Sequence, residues 1–270
     1  MKDQNLKKKR RRVGLLFLFL LVMAVSGTFT GQTGAQAATT SGTSVKKGWD
    51  GKHTAYYKNG KKVKGLQKIG KKSYYFSSKG ALVKNRRAFV INVKGKKCYF
   101  NIDQKGVAKQ WKGTAAYAAK QLVSLKANLN KVTDKNLENS LKKAFLWASS
   151  LTYRENTKDN LTGKKAAEYY GNYAFLMKHG DCNTQAYAFY WMAQVLGVKP
   201  KFIKGLVPTE EEGFQPHAWV EIVFDGTTYV FDPNFNNTFH DMFGKYCGFR
   251  IRYGQKQTYQ YYNLNKVKLT

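Results

Sequence analysis

Acidic side chains are scarce in this chain: 16 Asp and Glu stand against 47 Lys and Arg in 270 residues, a formal net charge of +31. That imbalance excludes an acidic solvating tail and points to polyanionic surroundings. Cysteine is rarer still. Three widely spaced cysteines cannot build a disulfide framework, and an odd number leaves at least one thiol unpaired. A long hydrophobic run is also missing, because the apolar stretch from Val13 to Val25 spans 13 residues where a membrane-spanning helix needs roughly 20. What the chain does have is core-forming material, 43% hydrophobic and 15% aromatic, too much for a disordered basic tail.

The apolar stretch has a basic head, Lys7 to Arg12, and is followed by Ala35-Gln36-Ala37. Basic head, short apolar middle and small-residue cleavage site form a secretory signal over residues 1–37, so a secreted, extracellular or cell-wall-associated protein with no stable membrane span after cleavage is expected. No cysteine lies at the cleavage site, which argues against a lipid anchor. Residues 38–45, rich in Ser, Thr and Gly, read as a flexible leader. The charge is unevenly spread. Residues 38–114 hold 20 Lys/Arg and two Asp, whereas 115–270 hold 20 Lys/Arg and 13 Asp/Glu. Such a step near Thr114 marks a boundary between a module over 46–114 and a domain over 115–270.

The basic module is built from short repeats. "GKHTAYYKNGK" from Gly51, "GKKSYYFSSKG" from Gly70 and "GKKCYFNIDQKG" from Gly95 share Gly-Lys, an aromatic pair and a closing Gly. Glycine supplies turn conformations and the Tyr/Phe pairs favour strands, so each unit is expected to be a hairpin that stacks on its neighbours. The stretch resembles the cell-wall-binding repeats of secreted Gram-positive proteins, of the choline- and glucan-binding type. The resemblance implies that Trp49, Tyr56, Tyr57, Tyr74, Tyr75, Tyr99, Phe100 and Trp111 form the binding faces. The abundant lysines suit anionic wall polymers such as teichoic acids. The bland alternative is that the rings only staple hairpins together and the lysines keep them soluble. Basic residues interleaved with aromatics are also a nucleic-acid footprint, but a secretory signal argues against that partner.

From Ala115 the pattern turns helical. Apolar residues at three- and four-residue spacing predict helices over 115–129 and 137–151, and Ala166 to Met177 predicts a third. In "HGDCNTQAYAFYWMAQVLGVKP", Asp181 is suited to N-cap a helix that begins at Cys182 and closes at Gly197. A thiol in the first helical turn faces unpaired N–H groups and the positive end of the helix dipole, both of which favour thiolate. Downstream, "QPHAWVEIVFDGTTYVFDPNF" alternates as two strands around Asp225-Gly226. With a two-residue loop, Trp219 faces Asp232, and His217 lies diagonally from that carboxylate on one sheet face. A three-residue loop would destroy the arrangement.

The run Gly180-Asp181-Cys182, then Leu196-Gly197-Val198, Gly205, His217-Ala218-Trp219, Asp225-Gly226, Tyr229 and Phe231-Asp232-Pro233 resembles the transglutaminase-like superfamily, over roughly residues 115–240. The resemblance implies an α+β fold with a papain-like core, N-terminal helices plus an antiparallel sheet. It also implies Cys182 as nucleophile, His217 as general base and acid, and Asp232 as the residue that fixes the imidazole. The expected chemistry is acyl transfer from a protein or peptide amide, to an amine (cross-linking) or to water (deamidation or proteolysis). A wall-organising protein that has kept only the fold is the rival reading. Trp147 and Tyr153 are weak candidates for a supporting role, with core packing as the alternative. No cofactor is implied. His179 has no second cysteine nearby, so no metal site is expected there. Cys98 and Cys247 are open to pairing, though packing or a reduced state suits Cys98 better. Glu210 to Glu212 read as a solvated loop, and the tyrosine-rich chain beyond His240 as further strands.

Overall fold

A computed structural model describes residues 45–130, 134–158, 160–209 and 213–253, together with the backbone of 262–265. The signal segment, the leader up to residue 44 and the Glu210–Glu212 loop lie outside the described residues. Val45–Thr270 falls into one compact unit. Among the described residues no helix is long and apolar enough to cross a membrane.

The basic repeats form strand hairpins. β1 (Gly48–Trp49), β2 (Tyr56–Lys58) and β3 (Lys61–Lys62) make one small antiparallel sheet, β4 (Gly65–Ile69) and β5 (Lys72–Phe76) a second, and β6 (Arg86–Val93), β7 (Lys96–Ile102) and β8 (Ala108–Gln110) a third. The turns Asn59-Gly60 and Lys94-Gly95 have positive φ at both residues, the backbone that joins twisted strands with the least splay. Single bridges, Phe76 to Leu82 and Tyr74 to Val107, tie successive units together. Trp49 is the hub of the first two units: its ring centroid lies 5.0 to 5.8 Å from those of His53, Tyr56, Tyr74 and Phe76. The third unit has a core of Ile91, Phe100, Ile102 and Ala108, against which Cys98 packs.

The helical part follows with α1 (Gly113–Ser124), α2 (Asp134–Ser149), β9 (Thr152–Tyr153), α3 (Gly163–Met177), β10 (His179–Gly180) and α4 (Cys182–Leu196). α1 ends at Ser124 rather than at the expected 129, because Lys126 turns left-handed (φ 51°) and the chain beyond it runs along β6. There Arg87 N–H donates to Leu129 O and Arg86 pairs with Asn130. α4 is buried on nearly every face, with Ala186 to Tyr190, Met192, Ala193, Val195 and Leu196 all in the main core. A helix apolar all round belongs inside, and this one is wrapped by α1, α2, α3 and the sheet. Each fully buried ring such as Phe189 contributes about 2 to 3 kcal/mol of transfer free energy.

The sheet has five antiparallel strands in the order β14-β13-β12-β11-β15, from β11 (Lys201–Pro208), β12 (Phe214–Phe224), β13 (Thr227–Phe231), β14 (Phe249–Ile251) and β15 (Tyr262–Asn265). Between β13 and β14 lies α5 (Pro233–Phe243). Phe202, Ala218, Val220, Ile222 and Phe231 face the helices. Ile203, Trp219, Val230 and Ile251 form a second small core. The architecture is a mixed helix and antiparallel-sheet fold with N-terminal strand hairpins. Helix α5 is additional to the helices expected from the sequence. Asp232 caps α5 by accepting from Phe235 N–H at 2.9 Å, and proline occupies the first helical turn, where its missing N–H costs nothing.

Candidate active site

Cys182 is the first residue of α4. The helix starts there because Asp181 caps it: Oδ1 accepts from Thr184 N–H and Thr184 Oγ1, and Oδ2 accepts from Asn183 Nδ2 and Thr157 Oγ1, all at 2.9 Å. The carboxylate is buried, and four hydrogen bonds offset its desolvation. Gly180 precedes it at φ +150°, and a Cβ there would come within 2.4 Å of Thr184 Oγ1. Only glycine lets the chain pass this close to the first turn. As first helical residue, Cys182 presents a backbone N–H with no intrahelical acceptor, and its side chain is partly exposed.

β12 carries His217 and the end of β13 leads into Asp232. The Asp225-Gly226 loop has two residues, and Phe224 faces Thr227 with the register holding to Val220 opposite Phe231. The next step along places Trp219 level with Asp232, two residues from His217. His217 Nε2 meets Asp232 Oδ2 at 2.7 Å; the imidazole is 10% exposed and the carboxylate fully buried. The Cys182 side chain is the imidazole's other electrostatic neighbour. Burial by itself disfavours the imidazolium. The charge and hydrogen bond of Asp232, followed by those of Cys182, outweigh it and raise the His217 pKa to about 10. Beneath the imidazole lies Trp219, with ring centroids 6.3 Å apart, and the indole N–H donates to Tyr253 Oη at 2.9 Å. Cys182, His217 and Asp232 thus stand side by side at the meeting of α4, β12 and α5.

Several supporting residues gave no signal in the sequence. Gln185 Nε2 donates to Leu151 O at 2.8 Å and its Oε1 accepts from Asn234 Nδ2 at 2.9 Å, a buried bridge that ties the end of α2 to α4 and α5. Asn237 of α5 donates to Ser149 O. Tyr153 is 52% exposed. Its pKa is raised by partial burial first and then by the charges of Cys182, Asp181 and Glu155, so its phenol shares an electrostatic environment with the thiol. It is not a core ring. Trp147 stacks on Phe175 at 5.3 Å and packs against the main core. A cavity of about 120 Å³ opens beside His217 and Asp232, with Val207, Phe235 and Phe239 as its apolar wall and Gln215 and Thr238 as its polar edge.

His179 packs edge-on against Tyr173 at 5.1 Å, and among the described residues no group of His, Cys, Asp and Glu is arranged to hold a metal. Cys98 and Cys247 are both free. Burial pushes the Cys247 thiol pKa up, and the thiol donates weakly to Asn236 Oδ1 at 3.7 Å. Of the repeat aromatics, Trp49, Tyr56 and Tyr74 converge on one cluster. Tyr57 lies under the Lys46 ammonium, and Tyr75 stands edge-on to Phe89. Phe100 is buried in the third unit, while Tyr99 and Trp111 pack against the main core.

Residues 123–233 match the family model of the transglutaminase-like superfamily. No curated protein sequence matches the chain. Among solved structures, similarity is found to LapG of Legionella pneumophila (14% identity, TM-score 0.32), to a candidate cysteine protease from Cytophaga hutchinsonii (13%, 0.31) and to arylamine N-acetyltransferase C from Bacillus anthracis (17%, 0.30). Each covers 46% of this chain, which in turn spans 66%, 39% and 49% of theirs.

Proposed function

We propose that the protein is a thiol-dependent acyl-transfer enzyme acting on a protein or peptide amide, with Cys182 as nucleophile, His217 as proton carrier and Asp232 as the group that orients it. The observation that carries this reading is the 2.7 Å contact of His217 Nε2 with the buried Asp232, on an imidazole whose pKa is also raised by the nearby thiol of a helix-initiating cysteine. The match of residues 123–233 to the transglutaminase-like superfamily supports it.

The chemistry follows from the placement. His217 takes the thiol proton as the attack begins, and Asp232 stabilises the imidazolium that forms. Sγ attacks the amide carbonyl and a C–S bond forms. The carbonyl electrons move onto oxygen, which the unpaired Cys182 N–H faces. As the tetrahedral adduct collapses, the C–N bond breaks and His217 gives its proton to the departing amine. His217 then takes a proton from an incoming amine or water, which attacks the thioester and returns the thiol. Transfer to an amine and hydrolysis are both open to the same triad, because the two outcomes differ in water exclusion and not in the catalytic groups. Under this proposal the protein is exported by the signal over 1–37, and its basic repeats hold it at an anionic cell wall.

A thiol-reactive probe at neutral pH tests the first step. Cys182 is expected to react well before Cys98 or Cys247, and Cys182→Ala to lose the fast phase; equal labelling of all three thiols would falsify the reading. A glutamine-donor peptide with a labelled amine then sorts the outcomes. Amine incorporation marks a transferase, ammonia release alone a deamidase, and peptide cleavage a protease. No turnover of any amide, with Cys182→Ala indistinguishable from wild type, leaves a non-catalytic wall protein.

A further inference from the structure

Trp49, Tyr56, Tyr74 and Phe76 of the first two repeat units are spent on one another, yet the same module holds a large cavity with no aromatic residue in its lining. It measures about 830 Å³ and lies where the β4–β5 hairpin meets the β6–β8 sheet. Such a volume is that of a ligand pocket, but the chemistry is not that of an apolar one. Three cations point to it from different elements: Lys72 from β5, Arg87 from β6 and Lys105 from the turn after β7. Asn85, Asn101 and Gln104 add amides, which donate and accept. The carboxylate at the rim, Asp103, is engaged in shaping the turn, since its Oδ1 accepts from Lys105 N–H and Val107 N–H at 2.8 Å.

The cations are held apart by the fold. Arg87 is fixed on two sides: its backbone N–H donates to Leu129 O, and its guanidinium lies over Gly197, where a Cβ would come within 2.5 Å of it. One guanidinium nitrogen reaches Asn101 Oδ1 at 3.4 Å, a long contact that uses one of the fork's five donors. Lys72 and Lys105 are exposed. One packed guanidinium fork and two exposed ammonium groups, interleaved with amides, match a chain in which phosphates alternate with hydroxyls: planar donors for phosphate oxygens, point charges for its neighbours, and amides for the hydroxyls between.

We propose that this inter-repeat cavity binds a short stretch of a polyol-phosphate polymer. The site acts through cations and amides, not through stacking on rings. It rests on the wall-association reading only for the natural source of the polymer, and not at all on the thiol chemistry.

Binding of a short poly(glycerol phosphate) to the full chain, followed by calorimetry, tests it without any activity readout. Arg87→Ala also removes packing over Gly197, so the informative variant is Lys72→Ala/Lys105→Ala, whose side chains are exposed. Affinity is expected to drop about tenfold. The charge-matched control Lys58→Ala/Lys61→Ala, on the exposed β2–β3 turn, is expected to change it by less than about twofold. Equal losses in the two variants would show diffuse charge attraction and overturn the site, as would no loss in either. An oligothymidylate of the same charge, bound as tightly and with the same dependence on Lys72 and Lys105, would show a site for any phosphodiester and overturn the polyol assignment. A neutral glucan bound as well as the polymer would overturn the role of the cations. Each of these failures leaves the acyl-transfer reading intact, because Cys182 reactivity is measured separately.

Discussion

Asp232 holds two roles in one side chain. Oδ2 orients His217 and Oδ1 caps α5. Asparagine can keep the cap but offers an N–H where His217 Nε2–H needs an acceptor, which forces the imidazole into the tautomer with its proton toward the thiol. Under the proposed acyl transfer, Asp232→Asn is therefore expected to lose on the order of 10⁴-fold in turnover, the scale seen when a triad carboxylate is neutralised, and to melt below wild type because the imidazolium loses its partner while the cap is kept. Asp232→Ala should lose activity and also about 1 kcal/mol of stability with the cap. Thermal melts beside initial rates for the two variants separate the roles. His217 gives a pH prediction. Its folded-state pKa is raised from 6.5 to about 10, so the stabilisation it draws from Asp232 is complete below its unfolded value and is lost as pH rises toward 10. Denaturant titrations should show the stability gap between wild type and His217→Gln narrowing from pH 6.5 to pH 10. A gap that widened over that range would mean the imidazole is neutral at pH 7.

Helix α4 is where local sequence and packing agree most closely. Asp181 as N-cap, Cys182 at the first position and Gly197 at the left-handed end were legible because each rests on local backbone chemistry. The strand register was legible for a similar reason: Asp225-Gly226 is a two-residue turn, and once it is set every cross-strand partner is counted from it. The cap has a measurable weight. Asp181→Ala removes four hydrogen bonds, including those of Asn183 and Thr157, and a cap alone is worth about 1 to 2 kcal/mol. The expected outcome is a loss at or above that range, with faster alkylation of Cys98 or Cys247 as the core loosens. Helix α5 was missed although its start signal, Asp-Pro, is present, because Asp-Pro opens turns as readily as helices. Phe235, Phe239 and Phe243, whose rings pack tilted against one another along its face, recur every four residues and were the signal to use.

For the whole molecule, the charge step near Thr114 and the packing give different kinds of boundary. Composition changes there, yet Ala88 from β6 lies in the same core as α1 and α4, with Tyr99 and Trp111 packed against it. A shared core couples the stability of its contributors. Residues 45–270 are accordingly expected to unfold in one cooperative transition, with fluorescence of Trp49 and Trp111 in the repeats moving together with far-ultraviolet dichroism from the helices. Two separated transitions would show a repeat module that folds by itself.

By itself the sequence determined what depends on neighbours along the chain: the charge distribution, the hairpin turns, the cap before Cys182, and the strand register that sets His217 beside Asp232. Only the tertiary structure decided what depends on residues far apart in sequence. It brought the Cys182 helix against the His217 strand, joined Gln185 to both Leu151 and Asn234, turned the repeat rings onto one another, and left Lys72, Arg87 and Lys105 around a common space. The physical reason is range. Turn and cap preferences act over three or four residues, whereas burial of apolar surface is indifferent to sequence separation and reports only where the chain finally packs.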